Sequence, residues 1–356
     1  MKKHNYSAGP SILPQEVFEK ASKAVLDFNN SGLSILEISH RSKDFVAVMD
    51  EARSLALELL GLTGKGYQAL FLQGGASTAF LMAPYNLMKE NGKAAYLDSG
   101  TWATAAIKEA KFFGETVIVA SSKEENYNHI PKGYEIPADA DYFHCTSNNT
   151  IFGTQLKDFP ATKIPVVCDM SSDIFSRDLD FSKFDLIYAG AQKNMGPAGT
   201  TLVVVKEEIL GKNGRAIPSM LDYAKHIKAE SMYNTPPVFA VYVSLLTMQW
   251  IKAKGGVAAV EKLNDAKAAL LYTEIDRNPL FKGAAAVEDR SNMNVTFLLT
   301  NPDHTEAFDK LWKEAGVSGL PGHRSVGGYR ASVYNAMPIE SVQVLVDVMK
   351  ALETKI

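Results

Sequence analysis

The chain is poor in the residues that staple small folds or gather metals: of 356 residues, two are cysteines and seven are histidines. Cys145 and Cys168 form neither a CxxC pair nor a disulfide framework, and both sit in apolar stretches, so they read as buried thiols of a reducing compartment. No metal-ligand spacing is present. Neither charge sign is in excess: 37 Lys and Arg face 40 Asp and Glu, for a net charge of -3. These totals give no basic face for nucleic acid or an anionic membrane, though a local cluster can still bind a small anion. No run approaches the roughly 18 apolar residues of a membrane span, and the opening MKKHNYSAGPS carries no apolar leader stretch, so the expected location is the cytoplasm. The GxGxxG dinucleotide signature and the Gly-Lys-Ser/Thr of a P-loop are also missing.

What the chain does have is an ordinary soluble balance, 46% apolar and 22% charged, and length for two or three domains. A βα rhythm runs through its first two thirds. Apolar runs at 67–72, 93–97, 115–120, 142–145 and 164–168 read as strands, and helical patterns follow several of them. The stretch FDLIYAGAQKNMGPAGTTLVVV at 184–205 holds two more strands around a Gly/Pro turn that carries Lys193. A lysine at a strand end can lose hydration and have its pKa lowered, as a Schiff-base lysine requires; an ordinary surface turn is an equal reading of this motif alone.

Other candidates fall at the same kind of position. After the strand at 67–72, QGGASTAF puts Ala76 and Ser77 at a helix start, where free N–H groups and hydroxyls suit a phosphate. Trp102 follows the strand at 93–97, where an indole can stack on an aromatic cofactor or pack at an interface. Thr150 lies in the polar turn TSNNTIFGTQ, and Asp169 ends the strand at 164–168 as a carboxylate able to pair with a ring nitrogen or to cap backbone. With Lys193 these residues occupy one edge of a predominantly parallel sheet, where open α/β sheets bind ligands.

Outside that edge, His40 and Arg41 precede a helix cap at Ser42, and Asn234 and Thr235 precede a double proline. The βα rhythm stops near Gly255, which places a large α/β domain at 15–255 and a smaller α+β domain at 256–356, with residues 1–14 as an arm beside the small domain or the site. The second domain carries GHRSVGGYRAS, whose His323, Arg324 and Arg330 suit carboxylate or phosphate recognition.

At AGAQKNMGPAG, DMSSDIFSRD, SHRS, YNTPP and GHRSVGGYRAS the chain resembles the phosphoserine aminotransferase family, fold type I pyridoxal 5'-phosphate enzymes of aminotransferase class V. The resemblance covers essentially the whole chain and implies a sheet of about seven strands flanked by helices. It implies that Lys193 holds pyridoxal 5'-phosphate as a covalent Schiff base and carries protons, and that Asp169 pairs with the ring nitrogen. It also implies that Trp102 stacks on the ring, Thr150 meets the ring hydroxyl region, and Ala76, Ser77 and Gln192 hold the phosphate. Asn234 and Thr235 would reach the cofactor of the neighbouring subunit in a homodimer. His40, Arg41, His323, Arg324 and Arg330 would bind substrate, Arg330 taking the α-carboxylate. The implied reaction exchanges an amino group between L-glutamate and 3-phosphohydroxypyruvate, giving O-phospho-L-serine and 2-oxoglutarate, with 3-hydroxy-2-oxo-4-phosphonooxybutanoate as a further substrate in bacterial relatives.

One departure is Ser77, where many relatives carry arginine, so the phosphate grip would rest on hydroxyl and backbone donors. The competing reading, a class V aminotransferase for small amino acids and glyoxylate, would leave the extra arginines unpaired. A cysteine desulfurase needs a mobile nucleophilic cysteine, and a non-enzymatic scaffold need not keep Lys193 and Asp169.

Overall fold

The computed structural model describes residues 3–356. In chain order the elements are β1 (His4–Asn5), α1 (Gln15–Leu26), α2 (Lys43–Leu59), β2 (Tyr67–Leu72), α3 (Gly75–Leu87), β3 (Lys93–Asp98), α4 (Thr101–Ala110), β4 (Glu115–Ser121), β5 (Phe143–Thr146), β6 (Asn148–Asn149), β7 (Thr154–Gln155) and β8 (Val166–Asp169). There follow β9 (Leu186–Gly190), β10 (Thr201–Lys206), α5 (Tyr223–Lys228), α6 (Val238–Ala253), α7 (Val257–Arg277), β11 (Phe281–Gly283), β12 (Asn294–Leu299), α8 (Thr305–Glu314), β13 (Val317–Ser318), β14 (Tyr329–Ser332) and α9 (Ile339–Lys355).

Seven strands form the central sheet in the order β2-β10-β9-β8-β5-β3-β4. Its strands are apolar on both faces because helices cover both. Alternate residues divide between two cores: Ala69, Phe71, Leu97, Cys145, Ile187 and Val204 face one, while Leu70, Tyr96, Tyr188 and Val203 face the other. α2 and α6 supply the first layer through residues such as Phe45, Met49 and Val241, and α3 and α4 the second through Phe80, Ala83 and Ile107. Cys145 and Cys168 lie in register on β5 and β8, buried, with their sulfurs 3.7 Å apart.

β10 is the exception to the parallel arrangement. It runs antiparallel to both β2 and β9, with Thr201 opposite Leu72 and Gly190. The Gly/Pro turn after Lys193 is short, so the chain turns directly back beside β9, and the C-terminal ends of β2 and β9 share one sheet edge. Gly196 in this turn lies so close to α6 that an added Cβ would stand 2.4 Å from Ser244 Oγ, which leaves room for no larger residue without movement.

Beside two two-stranded pairs, β1-β13 and β6-β7, a three-stranded sheet, β11-β12-β14, is antiparallel and backed by α7, α8 and α9. Phe281, Phe297, Phe308 and Tyr329 interlock edge-on and stacked at its centre, with ring centroids 4.8–6.3 Å apart. Tyr6 and Ile12 of the arm belong to this same core, and β1 pairs in parallel with β13. Sequence patterning finds β12 over its full length but passes over the two- and three-residue strands β1, β6, β7, β11 and β13, which exist through pairing rather than through periodicity. Among the described residues no helix is long and apolar enough to cross a membrane.

Candidate active site

Lys193 stands three residues beyond the end of β9, and its amine donates to Thr150 Oγ1 at 2.7 Å. Trp102, the second residue of α4, presents its ring 5.8 Å from the same amine and stays about one third exposed. Desolvation pulls the Lys193 amine down to about 8; Asp169 and Asp173 oppose this, and Arg330 adds to it. The amine is therefore neutral in part near neutral pH, the state in which it can act as a nucleophile or base.

Asp169 ends β8 and is buried. Its Oδ1 accepts from the Ser171 N–H at 2.9 Å, and the Ser171 side chain also bonds to the carboxylate. Burial raises its pKa, against the pull of the Ser171 hydrogen bond and the Lys193 charge. A carboxylate buried this far calls for a cation or a further N–H donor.

The turn between β2 and α3 begins with Gly74 at φ +100, in the left-handed region, as the N-cap of α3. Gly74 also packs its α-carbon against Thr78, since an added Cβ would lie 2.0 Å from Thr78 Oγ1. No side chain caps this helix and its first turn has no acidic residue, so the early N–H groups, those of Ala76 and Ser77 included, are left for an anion. Ser77 is exposed at this end. Gln192, partly buried, turns back beside Gly190: a Cβ built there would meet its Oε1 at 2.8 Å. Gln73 Nε2 donates to the Thr235 carbonyl at 2.8 Å, and Asn234 lines a pocket with Gln73, Gly74 and Thr78. Within one chain, then, the segment before the double proline borders the helix-start loop, with Thr235 exposed.

Arg330 on β14 reaches across from the second sheet. Its Nη1 approaches the Thr150 carbonyl at 3.5 Å, its Nε is buried with no partner, and desolvation lowers its pKa. That orphaned fork fits a bidentate carboxylate. His323 bonds through Nδ1 to Ser325 Oγ at 2.7 Å, and Arg324 is exposed beside it. His40 and Arg41 make no side-chain hydrogen bond or ion pair among the described residues, and so none with Arg330 or Lys193.

Several residues of this region escape sequence reasoning. Asn194, beside Lys193, donates to the Ser172 carbonyl at 3.0 Å and accepts from the Asn335 N–H at 3.0 Å. Tyr334 donates to the Ala8 carbonyl at 2.7 Å, and Ser11 donates through its N–H to the Gln192 carbonyl at 3.0 Å and through Oγ to that of Lys193. The adjacency of Asn194 to Lys193 was the one available signal; Tyr334 and Ser11 had none, being far from Lys193 in sequence.

The donor set fits pyridoxal 5'-phosphate. Lys193 supplies an amine of lowered pKa, Asp169 an acceptor for a protonated ring nitrogen, Trp102 an aromatic face, and the uncapped α3 an anion site. The aminotransferase class-V family profile matches residues 4–345. The chain is 91% identical over its whole length to phosphoserine aminotransferase of Flavobacterium johnsoniae, and covers all of it. The solved phosphoserine aminotransferase of Bacillus circulans subsp. alkalophilus is 44% identical and superposes with a TM-score of 0.96 over 99% of each chain. The pyridoxal-phosphate-bound phosphoserine aminotransferase of Trichomonas vaginalis is 36% identical, with a TM-score of 0.93 over 98% of this chain and all of that one. The chain belongs to the phosphoserine aminotransferases of aminotransferase class V.

Proposed function

We propose that the chain exchanges an amino group between L-glutamate and 3-phosphohydroxypyruvate in serine biosynthesis, yielding O-phospho-L-serine and 2-oxoglutarate. The observation that carries this reading is the meeting at Thr150: its hydroxyl accepts from the Lys193 amine and its carbonyl lies 3.5 Å from the Arg330 fork. A base and a carboxylate receptor thus converge on one residue. Both substrates carry two acidic groups, which gives His40, Arg41, His323 and Arg324 a role despite the slightly negative net charge.

Pyridoxal 5'-phosphate, held on Lys193 as a Schiff base, supplies the electron sink that makes a substrate Cα–H acidic. The chain's own groups do the rest. Asp169 would pair with a protonated ring nitrogen, and a cation there would offset the burial cost that raises its pKa. Trp102 would cover one ring face, and Thr150, which accepts from the Lys193 amine, would meet the ring hydroxyl region. Ala76, Ser77 and Gln192 hold the phosphate. The Lys193 amine, of lowered pKa, would hold the cofactor and would be the group that moves a proton at the substrate Cα. Arg330 fixes the α-carboxylate so that the Cα–H faces that amine.

The unit is read as residues 15–255 and 256–356 with an arm at 1–14, working in the cytoplasm as a homodimer in which Asn234 and Thr235 reach the neighbouring subunit's cofactor. The exposed Thr235 and Tyr233 support that reading. The same cationic set suits 3-hydroxy-2-oxo-4-phosphonooxybutanoate as a second acceptor. The purified protein is expected to absorb visible light, and Lys193→Ala to lose that band. A colourless wild-type protein, inactive even with added pyridoxal 5'-phosphate, would sink the reading.

A further inference from the structure

The arm runs from the small-domain core to the Lys193 turn and is fastened at both ends. Tyr6 is fully buried in that core, and its hydroxyl donates to the Ser341 carbonyl at 2.6 Å. Two residues on, the Ala8 carbonyl accepts from Tyr334 at 2.7 Å. Gly9 then lies against the Lys193 stem, since a Cβ added there would stand 3.3 Å from Lys193 Cγ. Ser11 closes the strap with its bonds to the carbonyls of Gln192 and Lys193. Tyr334 is itself fixed: it is 1% exposed, accepts from Asn294 Nδ2 at 3.2 Å, and its backbone carbonyl accepts from the buried Lys267 amine at 2.7 Å.

We infer that Tyr334 is a positioning residue for Lys193, holding the arm at Ala8 so that Gly9 and Ser11 lie on the Lys193 stem and backbone and keep water from that side of the amine. Small-domain packing thereby reaches the reactive amine through the arm as well as through Arg330. The phenol oxygen also faces Thr150 and Arg330, so its loss loosens the acceptor of the amine too. The charged groups that face Lys193 are Asp169 and Asp173, which favour its charged form, and Arg330, which disfavours it; Tyr334→Phe removes none of these charges. Desolvation is the leading cause of the depressed Lys193 amine, so water admitted along the stem favours its ammonium form.

The inference rests on Lys193 being the reactive amine of the proposed exchange, but its test reads the amine directly. In the full-length chain stripped of cofactor, the pH dependence of Lys193 acylation by acetic anhydride is followed by mass spectrometry of the Lys193 peptide. Tyr334→Phe and Ser11→Ala are each expected to raise the midpoint by about half a unit or more, which slows labelling at about pH 7.5 by about threefold. Tyr67→Phe, which removes a comparable 2.9 Å bond to the Phe184 carbonyl away from the arm, is expected to leave the midpoint unchanged. An unchanged midpoint in Tyr334→Phe overturns the inference, as does a shift in Tyr334→Phe alone, because the arm is then not the route. An equal shift in Tyr67→Phe overturns it too, since general loosening would account for all three. Failure of transamination with these shifts intact would count against the proposed reaction and not against the strap.

Discussion

Replacing Arg330 by alanine separates substrate recognition from folding. In the folded chain the guanidinium makes one long approach of 3.5 Å to the Thr150 carbonyl, has no ion-pair partner, and leaves Nε buried without an acceptor. Its removal therefore takes little from the native state and relieves a desolvated charge, so the unfolding free energy should change by no more than about 1 kcal/mol. A substrate carboxylate is different, because it completes a two-bond fork. At about 1.5–3 kcal/mol for each charge-assisted bond, the loss amounts to about 3–6 kcal/mol, or roughly a hundred- to ten-thousand-fold in kcat/KM. Both half-reactions use the same α-carboxylate, so L-glutamate and 3-phosphohydroxypyruvate should suffer together. Arg330→Lys, which keeps the charge and loses the planar fork, should fall between the two. The assay is steady-state transamination with each substrate varied in turn, beside urea unfolding of the same preparations. Wild-type kcat/KM for both substrates in Arg330→Ala would refute the carboxylate role.

On the proposed mechanism Asp169→Asn would remove the charge that stabilises a protonated ring nitrogen; breaking a buried pair of this kind costs about 3–5 kcal/mol, so the rate of the glutamate half-reaction should fall by at least about a hundredfold in stopped-flow measurements. Lys193 in the cofactor-free chain has its amine lowered from 10.5 to about 8, so between those values the unfolded chain binds more protons and stability rises with pH. Lys193→Met should accordingly be more stable than wild type at neutral pH, with the difference shrinking as pH rises toward 10, as read by urea unfolding. Lys267 is buried without a carboxylate, donates to the Val333 and Tyr334 carbonyls, and is lowered by desolvation to about 7. Lys267→Met takes the donor from the Val333 carbonyl, at about 1–3 kcal/mol before the relief of a buried charge, while the Tyr334 carbonyl still accepts from the Met337 N–H at 2.9 Å. Wild type gains stability from this group as pH rises from about 7 toward 10.5, so the variant's deficit should be larger at pH 9 than at pH 6 in the same assay.

The sheet edge was legible because buried parallel strands read as unbroken apolar runs, and a polar or aromatic residue just past such a run stands out. Thr150, Asp169 and Lys193 were found that way, and the structure brings them together with Trp102 and Arg330. Strand direction was less legible: nothing in TTLVVV distinguishes an antiparallel neighbour from a parallel one, and only the short Gly/Pro turn constrained β10. Tyr334, Asn294 and Ser11 were invisible for another reason. Each acts through hydrogen bonds to residues far away in sequence, 326 positions for Tyr334 to Ala8, 182 for Ser11 to Lys193 and 40 for Asn294 to Tyr334, and a lone Tyr, Asn or Ser carries no periodicity. His40 and Arg41 stand out as a charged pair at a helix start, yet among the described residues their side chains make no hydrogen bond or ion pair, so their role depends on what approaches that surface.

The most direct measurement is a substrate panel with L-glutamate as donor: 3-phosphohydroxypyruvate against pyruvate and glyoxylate at equal concentration, scored by kcat/KM. An acceptor phosphate that engages the cations around His323 and Arg324 should favour the phosphorylated keto acid by at least about a hundredfold, the worth of roughly 3 kcal/mol. Equal or better turnover of glyoxylate or pyruvate would contradict the assignment while leaving the fold and the Lys193 chemistry in place.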